Sequence, residues 1–220
     1  MADRPILFSA QMVRALLAGT KTQTRRVIKP QPTINGAGLL VYRAPKVTAQ
    51  GSPKTIALCM RIGVGDRLYV RESWNWTHIA DLAPGETLGR TVDECCAANG
   101  GFACACGDGI VYAATNAHDH PIHGKARWRP SVHMPRWASR ITLTVTDVRV
   151  QRLQDINVED AVAEGALAQS HVDQFATVHA VPMYRAIWNG INGPGSWDAN
   201  PWVAAYTFAV KRANIDASAS

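Results

Sequence analysis

The sequence predicts an α+β protein: a twisted mixed β-barrel with flanking helices and a long cysteine-rich insertion. Three observations lead there. Short segments alternate apolar and polar residues with period two, as in Leu68 and Val70, in Ile141, Leu143 and Val145, and in Trp202, Ala204, Tyr206, Phe208 and Val210. Apolar stripes at helical spacing stand at the start and in the last third of the chain. Between about 77 and 127 the periodicity dissolves into Ala, Gly, Cys, His and Asp, so that stretch reads as an insertion within one domain spanning residues 1–220.

The first helix is expected to start at Ser9, an N-cap, to bury Met12, Ala15 and Leu16, and to stop at Gly19, where a left-handed C-cap belongs. From Thr20 the residues become β-branched and polar in alternation, as in a strand. Period two then puts Thr22, Thr24 and Arg26 on one side and Lys21, Gln23 and Arg25 on the other. For Lys21 to meet Thr24, either the turn after Gly19 resets that parity or the lysine stem reaches around the strand edge.

Pro30, Pro32, Gly36 and Gly38 mark a turn-rich connection, followed by a β segment with Ile56, Leu58 and Met60 alternating. Gly65-Asp66 turns into D-R-L-Y-V-R-E-S-W, whose Leu68, Val70, Glu72 and Trp74 share a face. Glu72 is the misfit there, because a carboxylate on an apolar face is costly unless it pairs with an arginine or faces a ligand. Ile110 to Ala114 is the one credible strand in the insertion.

Two prolines force extended backbone in W-R-P-S-V-H-M-P-R-W-A-S-R, where Trp128 and Trp137 stand among Arg127, Arg129, Arg136 and Arg140. That mixture suits stacking on bases and neutralising phosphates, or equally an edge strand with solvated arginines. Asn157 is expected to cap a short helix with Asp160 three residues on, and Glu164 to border its buried stripe, half covered. A last helix from about Pro182 carries Tyr184, Ile187, Trp188 and Ile191, and the tail after Arg212 is expected to fray.

With 220 residues and 47% hydrophobic content the chain can bury a proper core, and its net charge of +6 suits an anionic partner. The N-terminus carries no signal pattern and no run approaches the roughly 18 apolar residues of a membrane span, so no membrane partner and a cytoplasmic location are expected. Four of the five cysteines crowd between Cys95 and Cys106, unlike a secreted disulfide framework. Cys95, Cys96, Cys104 and Cys106 with His118, His120 and His123 could hold Zn²⁺, but a C-C with a C-x-C is not a standard knuckle, so no metal is assigned.

The motifs L-A-G-T-K-T-Q-T-R-R, G-D-R-L-Y-V, L-Q-D-I and A-V-A-E-G together resemble the ASCH domain, a branch of the PUA-like β-barrels. R-P-S-V-H-M-P-R-W-A-S-R and S-W-D-A-N-P-W-V look like the larger ASCH proteins of phages and prophages. The resemblance leaves the cysteine-rich insertion uncovered. It implies a PUA-like (ASCH) barrel and, from the small bacterial members, an N4-acetylcytidine amidohydrolase acting on modified cytidine nucleosides without a cofactor. Carried over by motif, the implied catalytic residues are Lys21, Thr24 and Glu164, the last by its A-x-x-E spacing from Ala161, and Arg26 matches the motif arginine. Arg26, Glu72 and Trp74 are the expected substrate-binding residues.

In the expected chemistry Lys21 takes the Thr24 proton, Thr24 attacks the amide carbonyl, and a protonated Glu164 donates to the departing cytosine amine. Water activated directly, with Thr24 only orienting it, is the variant. Two other classes stay open: a PUA-like module with RNA as partner, and a ribonuclease for which His133 is the first candidate.

Overall fold

The computed structural model describes residues 1–78, 90–91, 108–115, 128–166 and 169–217. The cysteines from Cys95 to Cys106 and the histidines His118, His120 and His123, with the zinc question they raise, lie outside the described residues, as does Arg127.

The architecture is a mixed α+β one, but the expected barrel is absent. Five strands form one sheet in the order β1 (Asp3–Leu7), β6 (Arg67–Arg71), β10 (Thr142–Arg152), β11 (Trp202–Lys211) and β2 (Gln23–Val27). The pair β1 and β6 is parallel, and β11 and β2 are antiparallel. The other strands are drawn off into two separate three-stranded sheets, β3 (Thr33–Ile34), β4 (Leu40–Ala44) and β5 (Val47–Gly51), and β7 (Trp74–His78), β9 (Asp108–Tyr112) and β8 (Arg90–Thr91). The edge strands of the five-stranded sheet, β1 and β2, do not pair with each other, so the sheet stays open. Period-two alternation identifies half-buried strands, yet it carries no information about closure.

The chain falls into two compact units, each assembled from several segments. One comprises Met1–Leu17, Arg67–Leu143 and Val210–Ser220. Its core gathers Trp74, Ile110, Tyr112, Met134 and Ala138, all buried. Helix α1 begins at Ala10, after Ser9, and presses Val13 and Leu16 inward. Pro130 and Pro135 do impose extended backbone, and Met134 and Ser139 share it, but each proline leads into a short 3₁₀ turn, Ser131–His133 and Arg136–Ala138, where an edge strand was one expectation. Over its described residues, 213–217, the tail is not frayed either. Asn214 donates its amide to the carbonyls of Arg136, Trp137 and Ser139 at 3.0, 3.0 and 2.6 Å, and Ile215 is buried. Asp216 and Asp3 both clasp Arg136, and Asp3 also holds Arg67.

The other unit comprises Ala18–Asp66 and Thr144–Ala209. Its core joins Leu153, Ile156, Ala161, Tyr184, Trp188, Trp197 and Val203, with the Tyr184 and Trp197 rings edge to face. Short helix α3 (Val158–Ala163) is capped by Asn157, whose side chain accepts from Asp160 N at 2.7 Å as its spacing predicts. Long helix α4 (Gln169–Asn192) starts well before Pro182, which lies inside it, and Ile191 is exposed rather than core. Where alternation of Ile56, Leu58 and Met60 suggests a strand, the chain forms helix α2 (Pro53–Ala57) instead. Ser52 caps it, Pro53 opens it, Ile56 is its one buried residue, and Leu58 is left in solvent. At the base of this unit, Gly65 N donates to Val145 O at 2.8 Å and Val145 N to Asp66 O at 3.0 Å.

Candidate active site

Lys21 is fully buried, which for a lysine demands an explanation. The chain supplies it at two places. Helix α1 ends at Ala18 and Gly19 turns with a φ of 78°, so Lys21 enters the unit just before β2 starts. On the other side α3 stops because Gly165, at a φ of 78°, leaves the helix. Glu164, the C-cap, is thereby free to pair with Lys21 in an isolated antiparallel bridge, and Thr22 N donates to Ala163 O at 2.8 Å.

The ammonium is held by three oxygens, each at 2.8 Å: Gln23 O, Glu164 O and Glu164 Oε2. The lysine stem curls along the strand, so that Nζ lies against the peptide group joining Gln23 to Thr24.

The second Glu164 oxygen accepts from Arg25 Nη1 at 3.1 Å, and Arg25 Nη2 reaches Asp160 Oδ2 at 2.5 Å. Arg149 donates to Asp160 Oδ1 at 2.9 Å, and Gln23 joins through its amide to the same atom at 3.1 Å. The pattern follows from two periods. Lys21, Gln23 and Arg25 share a strand face, while Asp160 and Glu164 are four apart and so share a helix face. Cations from one element meet carboxylates from the other, as burial of either set requires.

Burial pushes the Lys21 amine below its ordinary value, against the pull of the Glu164 carboxylate, and the nearby charges of Arg26 and Arg25 act with the burial. Burial also lowers Arg26, whose charge interacts with Glu164, Tyr184 and Tyr206. It raises the Tyr184 phenol, with the Glu164 charge adding to the effect, and pushes Tyr206 up to about 12. Burial raises the Asp160 carboxyl too, yet its bond from Arg149 and the charge of Arg25 carry it below the usual range. Thr24 is buried and faces Tyr206 in the register of β2 against β11.

Of the residues expected from the sequence, the structure therefore brings Lys21 and Glu164 into direct contact, places Thr24 next to the peptide that Nζ touches, and sets Arg26 within their field. Glu164 is fully buried, beyond the half-covered position expected for it. Asp160, Gln23, Arg149, Tyr184 and Tyr206 complete the constellation without having been singled out as site residues. The four-residue spacing of Asp160 and Glu164 opposite Lys21, Gln23 and Arg25 was the available signal.

Glu72 and Trp74 belong to the other compact unit. Glu72 is buried, and both its oxygens are taken by Arg140, each at 2.9 Å. Arg140 lies in turn over the Tyr112 ring at 3.9 Å. Trp74 is buried under the Arg129 guanidinium, 5.2 Å from its ring. Arg136 is engaged by Asp3 and Asp216, so the described arginines of the tryptophan-rich segment all have partners inside the protein. His133 is exposed on the first 3₁₀ turn.

Among the described residues no helix is long and apolar enough to cross a membrane. No protein-family model, curated protein or solved structure matches the chain.

Proposed function

We propose that this protein is a cytoplasmic amidohydrolase that removes the acyl group from N4-acylated cytosine nucleosides, giving cytidine and a carboxylic acid. The observation that carries the proposal is the buried contact between Lys21 Nζ and Glu164 Oε2 at 2.8 Å. Those two residues, 143 positions apart, are the ones that the resemblance to N4-acetylcytidine amidohydrolases assigns to catalysis.

The contact makes two catalytic roles compatible. Passage of one proton from Lys21 to Glu164 along this bond gives a neutral amine and a carboxylic acid together. Desolvation, which depresses the lysine, lowers the cost of that neutral pair. Lys21 then accepts the Thr24 hydroxyl proton as Thr24 Oγ1 bonds to the acyl carbon, and Glu164 donates its proton to N4 as the C–N bond breaks. Cytidine leaves and the acyl group stays on Thr24. In the second half Glu164 accepts a proton from the attacking water, Lys21 returns its own to Thr24, and the acid departs. Arg26, kept short of water, stabilises the oxyanion in both halves.

The test is turnover of N4-acetylcytidine followed by absorbance, with cytidine identified by mass spectrometry, for wild type beside Lys21→Ala and Thr24→Ala. Wild type should release cytidine, and both variants should lose at least about 100-fold in kcat/KM, the scale of a general base or nucleophile. An intact nucleoside after long incubation with concentrated wild-type protein would end the proposal.

A further inference from the structure

Between Arg4 and Gly65 the chain carries ten cationic residues, Arg4, Arg14, Lys21, Arg25, Arg26, Lys29, Arg43, Lys46, Lys54 and Arg61, and not one Asp or Glu. Lys21 and Arg25 are matched by Glu164 and Asp160, and Arg26 lies in the field of Glu164. Arg4 and Arg14 belong to the other compact unit. Five remain: Lys29, Arg43, Lys46, Lys54 and Arg61.

All five sit on or beside one small lobe, the antiparallel sheet β3-β4-β5 with α2 packed on β4 and β5. Lys29 leads into the lobe. Arg43 alternates on β4 with buried Leu40 and Tyr42 and so points outward, and Lys46 stands in the turn where Ala44 pairs with Val47. Lys54 is on α2 and Arg61 follows it. Each is exposed, and among the described residues none forms an ion pair or a side-chain hydrogen bond. Like charges collected without a counter-charge repel one another and stabilise nothing in the isolated chain. They fit a polyanion. The lobe's one aromatic residue, Tyr42, is buried, so no ring is offered for base stacking.

We infer that this lobe is a docking surface for the phosphate backbone of an RNA strand, gripped independently of base sequence by Lys29, Arg43, Lys46, Lys54 and Arg61. Only the choice of RNA as the polymer rests on the nucleoside activity proposed above. The tryptophan-rich segment is unsuited to that role, since its described arginines are already engaged within the fold.

The experiment is fluorescence anisotropy of a labelled single-stranded RNA of about 20 nucleotides, titrated with full-length protein at several salt concentrations. Each phosphate neutralised on a single strand contributes about −0.7 to the slope of log K against log salt, so five contacts give about −3.5. Affinity should then fall about 100-fold between roughly 50 and 200 mM salt. The triple variant R43Q/K46Q/K54Q should keep a slope of only about −1.4 and lose about sevenfold over the same range. Its melting temperature and its N4-acetylcytidine turnover should match wild type. Swapping the cations among themselves, R43K/K46R/K54R, should restore the slope, and Lys211→Gln, on β11, should leave it unchanged. The inference is overturned if wild type fails to bind at low salt, if the triple variant keeps the full slope, or if polyglutamate competes as well as unlabelled RNA at equal charge. The last result would assign the lobe to an acidic protein. Turnover is read separately, so loss of either proposal leaves the other measurable.

Discussion

Replacing Lys21 by Met, Glu164 by Gln, and both together tests the buried pair most directly. Removing one partner of a buried ion pair costs about 3–5 kcal/mol, because the other charge is left without its counterpart in a dry site. Lys21→Met falls below that range, at about 2–3 kcal/mol, since Glu164 still accepts from Arg25 at 3.1 Å. Glu164→Gln leaves two cations, Lys21 and Arg25, with Asp160 as the remaining carboxylate of the cluster, and should cost about 3 kcal/mol or more. In the double variant both charges of the pair are gone, a neutral amide faces an apolar stem, and the loss should be close to that of Glu164→Gln alone. The expected coupling is therefore at least about 2 kcal/mol, read from urea unfolding followed by tryptophan fluorescence. Costs that add within about 0.5 kcal/mol would mean that Lys21 and Glu164 do not interact in solution, and the catalytic reading would lose its basis.

Three further outcomes are expected. Because the productive proton sits between Lys21 and Glu164, kcat/KM should fall on the alkaline side through a lysine titration below the ordinary 10.5; a profile still rising there would show that no Lys21 proton is needed. Glu72 is raised by burial in spite of Arg140, so its contribution to stability is fully present below about 4.5 and is lost as pH rises through its folded value; Glu72→Gln should flatten that part of the stability curve, and an unaltered slope would contradict the assignment. Asn214→Ala removes the donor to three carbonyls and should cost about 1–3 kcal/mol, with hydrogen exchange of residues 136–139 and 213–217 accelerating ahead of the rest.

Much of the local structure could be read in the residues. Gly19 and Asn157 stand where their cap roles require, the period-two segments became β6, β10 and β11, and the pairing of Glu72 with an arginine was one of its two expected fates. What failed were matters of assembly. Alternation at Leu68 or Ile141 fixes a face but not how many strands share a sheet, so the barrel expectation had no counter-signal. At Ile56 to Met60 a period-two pattern of three residues lost to Ser52 and Pro53, whose capping chemistry selects a helix. The tail departs from expectation because its anchors are distant in sequence, above all the Asn214 amide, which reaches carbonyls some 75 positions away, contacts no local pattern encodes. At the site, motif resemblance names Lys21 and Glu164 but not their contact, the four-residue spacing of Asp160 and Glu164 is a local signal, and Arg149 becomes visible only in the folded unit.

The two backbone bonds that tie Val145 to Gly65 and Asp66 have a consequence for how this chain tolerates change. They bring residues 65–66 and residue 145 to one point, so the stretch between them is closed into a loop at its base. Closing a flexible loop costs more with length only logarithmically, about 0.6 kcal/mol per doubling. Residues added to or removed from that loop, provided Trp74, Ile110 and Tyr112 of its core are spared, thus cost only a fraction of the energy held in one buried ion pair. Loop length outside those core residues is a nearly free variable, whereas the clasp at the base is fixed.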